Sequence, residues 1–155
     1  MQQKKESDRD RRVAEQLTQD MVAGCVGVRV GRLHRLVSRE FERHLRPVGL
    51  SLQQLEVLST LTACRGPVKP TVVAELLALE RSTMSRNLAI LIDRGWAAST
   101  DTSTTGRSLA VEITAAGTAK LAEAGDAWRQ AQTALIADLG SDAPATLNAW
   151  LAALT

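Results

Sequence analysis

The octamer Arg81-Ser82-Thr83-Met84-Ser85-Arg86-Asn87-Leu88 is the stretch whose residue types and spacing offer chemistry. If Met84, Leu88 and Leu91 turn inward on a helix, then Ser82, Thr83, Ser85, Arg86 and Asn87 lie on its outer side near the N-terminus, beside Arg81. Short hydroxyl groups let a helix approach a partner closely, and an arginine supplies a planar two-pronged donor. That set suits the floor of a major groove, where hydroxyls touch bases or phosphates and a guanidinium grips guanine or a phosphate. Bond-making chemistry has no comparable support. The two histidines, His34 and His44, stand ten apart on one predicted helix, and no HExxH, GxSxG or Gly-rich phosphate loop is present. No enzyme activity, metal site or cofactor is therefore expected. The two cysteines, Cys25 and Cys64, form neither a CxxC pair nor a disulfide framework, and a reducing compartment keeps them as thiols.

The elements that position the octamer follow from periodicity and punctuation. Residues 1–20 mix charges of both signs with few apolar positions and are expected to be a disordered arm. From Met21 to Arg46, Val26, Val30, Leu33, Val37, Phe41 and Leu45 recur every three or four residues, the stripe of a long helix. Arg29, Arg32, Arg35, Arg39, Arg43 and Arg46 form a second stripe, read either as a solvated face or as a surface for an acidic partner. Pro47 and Gly49 stop this helix, and Ser51 caps the next, which carries Leu52, Leu55, Leu58 and Leu61 and ends at Arg65-Gly66-Pro67. A short helix runs from Pro70 to Leu77, and the octamer's helix starts near Glu80 or Arg81 and ends at Arg94-Gly95.

The period then changes. Trp96–Thr100 and Leu109–Ile113 read as two strands joined by a polar turn with Gly106, a β-hairpin. Thr114 caps a long helix to Leu139, with Leu121, Ala124, Trp128, Ala131 and Leu135 on one stripe. Small residues at 124 and 131 admit a close neighbour, from another chain or from the same one. Gly140 closes that helix, and Ser141-Asp142-Ala143-Pro144 starts a last one with Leu147, Trp150, Leu151 and Leu154.

The fold class is thus mainly α with a small β-hairpin wing. It comprises a winged helix-turn-helix over 51–113 and flanking helices over 21–46 and 114–155, in one domain spanning 21–155. A chain of 155 residues with 45% hydrophobic and 23% charged residues fits one globular domain and excludes collagen-like or wholly disordered classes. Three Trp, one Phe and no Tyr leave a core of Leu, Val, Ile and Ala, which suits packed helices. The longest run without Asp, Glu, Lys or Arg is the thirteen residues 143–155, short of the roughly 18 that cross a bilayer. With no secretory signal at the start, the expected location is the cytoplasm.

The run VVAELLALERSTMSRNLAILIDRGW (72–96), then Arg107, then LAVEITAAGTAKL (109–121) resembles the MarR family of winged-helix transcriptional regulators. The resemblance covers about residues 21–155, and its most specific pieces are Ala74-Glu75, RSTMSRNL, Arg94-Gly95 and IT-AAG (113–117). It implies a homodimer on double-stranded DNA, with Arg81, Ser82, Thr83, Ser85, Arg86 and Asn87 of the recognition helix and Thr104, Thr105 and Arg107 of the wing as DNA contacts. It also implies that the terminal helices intertwine through Val26, Val30, Leu33, Leu121, Trp128, Leu135, Trp150, Leu151 and Leu154. A repressor on a palindrome, released by a small aromatic or lipophilic effector at a site the residues do not identify, is the function it implies. Two alternatives stay open: a thiol-based redox sensor through Cys25, and a winged-helix protein-interaction module without DNA binding. The chain departs from the family at Thr105-Gly106-Arg107, where Asp-Arg-Arg is common. It departs again at Ala78, where glycine is usual, and at Glu80, where a shorter cap is usual.

The formal charge of +2 is unevenly spread. Residues 1–28 hold five basic and five acidic groups, 29–107 hold twelve against seven, and 108–155 hold two against five. The segment containing the octamer is therefore basic, as a polyanionic partner requires.

Overall fold

The computed structural model describes residues 2–101 and 109–154. Helix α1 (Gln2–Gly24) occupies the stretch expected to be a disordered arm. Its residues are helix formers with no proline and no glycine before Gly24. Pairs four apart, Arg11 with Glu15 and Gln16 with Asp20, link successive turns. Helix α2 (Val26–Leu45) follows after the single residue Cys25. The backbone ladder continues across that residue, because Cys25 N–H donates to the Met21 carbonyl and Arg29 N–H to that of Cys25.

The chain divides into two units, Met1–Arg39 and Glu40–Thr155. The first consists of α1 and the leading part of α2, and its described side chains are exposed or half-buried. The second holds the core. There α2 ends in a 3₁₀ turn (Arg46–Val48) with Pro47 in its first turn and Gly49 at φ 70°, a left-handed position that favours glycine. Helix α3 (Leu52–Cys64) opens with a reciprocal capping box. The Ser51 hydroxyl accepts from Gln54 N–H, and the Gln54 side chain accepts from Ser51 N–H.

Helix α4 (Pro70–Leu76) and helix α5 (Arg81–Asp93) are joined by a turn in which Ala78 takes φ 50°. Strands β1 (Ala97–Asp101) and β2 (Leu109–Ile113) pair antiparallel, with Ala97 opposite Ile113 and Asp101 opposite Leu109. Val68, just before α4, exchanges two backbone hydrogen bonds with Val111 at 2.9 and 2.8 Å, an antiparallel bridge on the other edge of β2 that local periodicity does not reveal. The long helix expected over 114–139 is instead two, α6 (Ala115–Glu123) and α7 (Gly125–Leu139), meeting at Ala124. Glycine at 125 marks the break. Helix α8 (Ala143–Leu154) closes the chain.

The core is aliphatic, as the shortage of aromatics requires. Leu45, Val57, Leu58, Leu61, Val73, Met84 and Leu91 are fully buried, bringing α2, α3, α4 and α5 together. Each such side chain contributes about 1.5–3 kcal/mol by leaving water. Ala124 and Ala131 are also fully covered, so a close neighbour for the small residues of that stripe lies within the chain. Helix α8 buries nothing, and Trp150, Leu151 and Leu154 stand exposed on it.

Candidate nucleic-acid interface

Helix α5 is amphipathic by construction. Met84, Leu88 and Leu91 fill the core while Arg81, Ser82, Ser85 and Arg86 are exposed and Thr83 is half-buried. Arg86 donates from Nε to the Ser82 carbonyl at 3.2 Å, which lays its stem along the helix. Its remaining guanidinium donors have no partner among the described residues. Glu80 is the N-cap but makes no side-chain cap bond, so the first-turn N–H groups are not closed off by a hydroxyl or carboxylate.

Asn87 does not belong to this surface, contrary to the expectation. It is buried, and its Nδ2 donates to Gln53 Oε1 at 3.2 Å and to the Thr83 carbonyl at 3.0 Å. A buried amide needs such partners, and finding them in α3 turns it into a tie between α3 and α5. Thr104, Thr105 and Arg107, the expected wing contacts, lie outside the described residues.

The wing is anchored at its base. Thr114 caps α6 by accepting from Gly117 N–H at 3.0 Å and donates to the Gly95 carbonyl at 2.6 Å, while its N–H donates to the Trp96 carbonyl at 3.1 Å. Gly117 is buried against that carbonyl. A Cβ there would overlap the Trp96 oxygen and come within 2.8 Å of Ile113 Cγ1, so only glycine fits. The glycine of the IT-AAG piece is thus explained by close approach of α6 to the α5–β1 junction. Gly95, at φ 70°, makes the left-handed turn out of α5.

Between α4, α5 and the strands runs a groove of about 350 Å³. Ala74, Met84, Leu88 and Val111 give it apolar walls, and Arg81 and Ser85 line it from the exposed side of α5.

The residues expected at a dimer interface fall into two groups. Val26, Val30, Trp128, Trp150, Leu151 and Leu154 are exposed, whereas Leu33, Leu121 and Leu135 are half-buried. The arginine stripe of α2 is partly engaged, with the end of α1 at Arg29 and with α2 itself at Arg39 and Arg43. Arg29 donates to the Ala23 carbonyl at 2.6 Å, Arg39 donates to that of Arg35 at 3.4 Å, and Arg43 pairs with Glu40. Cys25 and Cys64 are free and half-buried. Among the described residues no cluster of three or more His, Cys, Asp or Glu could hold a metal, and no helix is long and apolar enough to cross a membrane.

Residues 54–101 match the IclR helix-turn-helix domain, a stretch that runs from within α3 to the end of β1. No curated protein sequence matches the chain. Among solved structures, the transcriptional repressor CouR bound to a 23-mer DNA duplex is 27% identical with TM-score 0.74, covering 86% of this chain and 94% of its own. The M. tuberculosis transcriptional regulator MosR is 25% identical with TM-score 0.72, over 84% and 96% of the two chains. A mutant of MarR from E. coli complexed with operator DNA is 21% identical with TM-score 0.73, over 83% and 92%. The likeness therefore extends beyond the helix-turn-helix to the flanking helices. The structural neighbours of this chain are MarR-family regulators, and its winged helix-turn-helix fold is theirs.

Proposed function

We propose that the chain is a DNA-binding transcriptional regulator of the MarR type. The observation that carries this reading is the exposed surface of α5, where Arg81, Ser82, Ser85 and Arg86 stand together on a helix backed by the core. The DNA-bound structures of CouR and MarR support it. Small hydroxyls flanked by two arginines read base edges and phosphates at close range, and Arg107 extends the contact from the wing.

The working unit is a homodimer in the cytoplasm. Exposed Val26 and Val30 on α2, and Trp150, Leu151 and Leu154 on α8, make apolar surface that a second copy covers. A two-fold dimer presents two recognition helices, and half-sites then lie about 10 bp apart on a palindrome. Occupation of a promoter by such a dimer represses transcription. A small aromatic or lipophilic effector seated in the α4–α5–wing groove would hold Arg81 and Ser85 away from DNA and release the operator.

The test is a fluorescence anisotropy titration with duplex tiles of the gene's own upstream region over a series of salt concentrations. Specific binding with a log–log slope of about −0.9 per phosphate contact is expected. Arg86→Ala and Arg107→Ala each weaken it. Unchanged affinity in both variants overturns the site, and binding of no tile above a random duplex overturns the function.

A further inference from the structure

Arg94 caps the C-terminal end of α5, at the far end of the helix from the proposed DNA surface, and its side chain is committed elsewhere. Its Nη1 donates to the Gly49 carbonyl at 2.7 Å, across forty-five positions of sequence. Its guanidinium carbon stands over the Trp96 ring, 4.9 Å from the centroid, and Lys120 Nζ stands 5.3 Å from the same centroid. Gly49 ends the 3₁₀ turn that follows α2, so one side chain joins the corner after α2 to the end of the recognition helix. Trp96 in turn is fixed at both backbone groups. Its N–H donates to the Leu91 carbonyl at 2.8 Å and its carbonyl accepts from Thr114 N–H at 3.1 Å. Four elements meet at this point: the corner after α2, the end of α5, the start of β1 and the start of α6.

We propose that Arg94 is a positioning residue for operator recognition, one that sets the direction of α5 without touching DNA. This rests on the DNA-binding reading above. A 13-residue helix is about 20 Å long, so an ångström of drift at the anchored end becomes a comparable drift at Ser85 and Arg86. Hydrogen bonds to base edges work over only a few tenths of an ångström, whereas attraction to phosphates falls off slowly with distance. Loss of the anchor therefore costs sequence-specific binding and leaves non-specific binding nearly intact. The guanidinium is suited to the task because it can donate to a carbonyl and stack on a ring at once.

The experiment uses the full chain with Arg94→Met and Arg94→Lys, each melted first so that binding is measured where the variant is fully folded. Two duplexes are titrated over a salt series: the upstream tile that the wild type prefers and a random sequence of equal length. Arg94→Met is expected to bind the specific tile about tenfold more weakly, a loss in the range of one charge-assisted hydrogen bond, with its salt slope unchanged and the random duplex bound as by the wild type. Arg94→Lys keeps a cation and a donor but not the planar fork, and its loss is about threefold in the same direction; it carries the test if the methionine variant does not fold. Wild-type affinity in the folded variants overturns the proposal. So does a slope reduced by about one, which would make Arg94 a phosphate contact, and so does an equal loss on both duplexes. A wild type that binds neither duplex fails the DNA-binding reading itself, a result separate from any variant's behaviour.

Discussion

Replacing Gly117 by alanine reverses the usual sign of a glycine-to-alanine change in a helix. Within a helix the exchange ordinarily stabilises by about 0.5–1 kcal/mol, because alanine has less backbone freedom to lose. At position 117 the new methyl group would occupy the space of the Trp96 carbonyl oxygen and lie 2.8 Å from Ile113 Cγ1. The obstructing atom is backbone, not the end of a flexible side chain, so either α6 or the α5–β1 junction must move. Overpacking of this kind costs about 1–3 kcal/mol. The displacement also breaks the Thr114 N–H bond to the Trp96 carbonyl and the Thr114 cap on Gly117 N–H, together about 1–3 kcal/mol more. Less the ordinary gain from alanine, a net loss of about 1–5 kcal/mol follows, set against the roughly 5–15 kcal/mol that holds a domain together. Urea unfolding at fixed protein concentration reads it out. With a slope of about 2 kcal/mol per molar, the midpoint falls by about 0.5–2.5 M. Gly125→Ala serves as the control, since the nearest atoms to a Cβ there belong to the flexible end of Arg129, 3.4 Å away, and its midpoint should hold or rise. If Gly117→Ala behaves like the control, the close approach of α6 to Trp96 is wrong.

Three other substitutions test local readings. Ala78 sits at φ 50°, so Ala78→Gly relieves about 1–2 kcal/mol of left-handed strain against about 0.4–1 kcal/mol of added chain entropy; the midpoint should rise slightly, and a fall refutes the strain. Glu80→Ser supplies the cap hydroxyl that α5 lacks, a gain of about 1 kcal/mol by the same denaturation assay. Asn87→Ala removes a buried tie to Gln53 and should cost about 1–3 kcal/mol of stability; where the variant is fully folded, a loss of preference for one base at a single operator position would return Asn87 to the DNA surface. For the thiols, Cys25→Ser is expected to release DNA under peroxide no differently from the wild type, and release confined to the wild type would make Cys25 a sensor.

What could be read from the sequence is what depends on neighbours a few residues away. Ser51 and Thr114 were recognisable as caps because the cap bond spans three positions, and both make it. Gly95 could be placed after α5 because the left-handed turn there favours glycine over other residues. Arg81, Ser82, Ser85 and Arg86 followed from the 3.6-residue period once Met84 and Leu88 were placed inside. Asn87 obeys the same geometry, but its chemistry points the other way. On a helical wheel it lies only about 40° from Leu91, on the inward side, and its amide argued for the outside because a partner in α3 could not be foreseen. Helix α1 (Gln2–Gly24) stands where a disordered arm is expected over residues 1–20 for the converse reason: dense charge argues for disorder there, while the residues themselves are good helix formers. What escaped altogether spans long stretches of chain: Val68 on Val111, Gly117 under Trp96, and Arg94 on Gly49. Those three contacts join α5, the strands and α6 to distant parts of the chain, whereas the residues proposed to meet DNA are set by period alone. Under the proposed function, specificity depends on two kinds of residue with different signatures. A variant of the exposed set should lose phosphate or base contacts and leave stability almost untouched. A variant of the aiming set should lose discrimination, or stability, before it loses charge-driven binding; the salt slope with the unfolding midpoint assigns the arginines of α5, and discrimination at a single base position with the same midpoint assigns its serines.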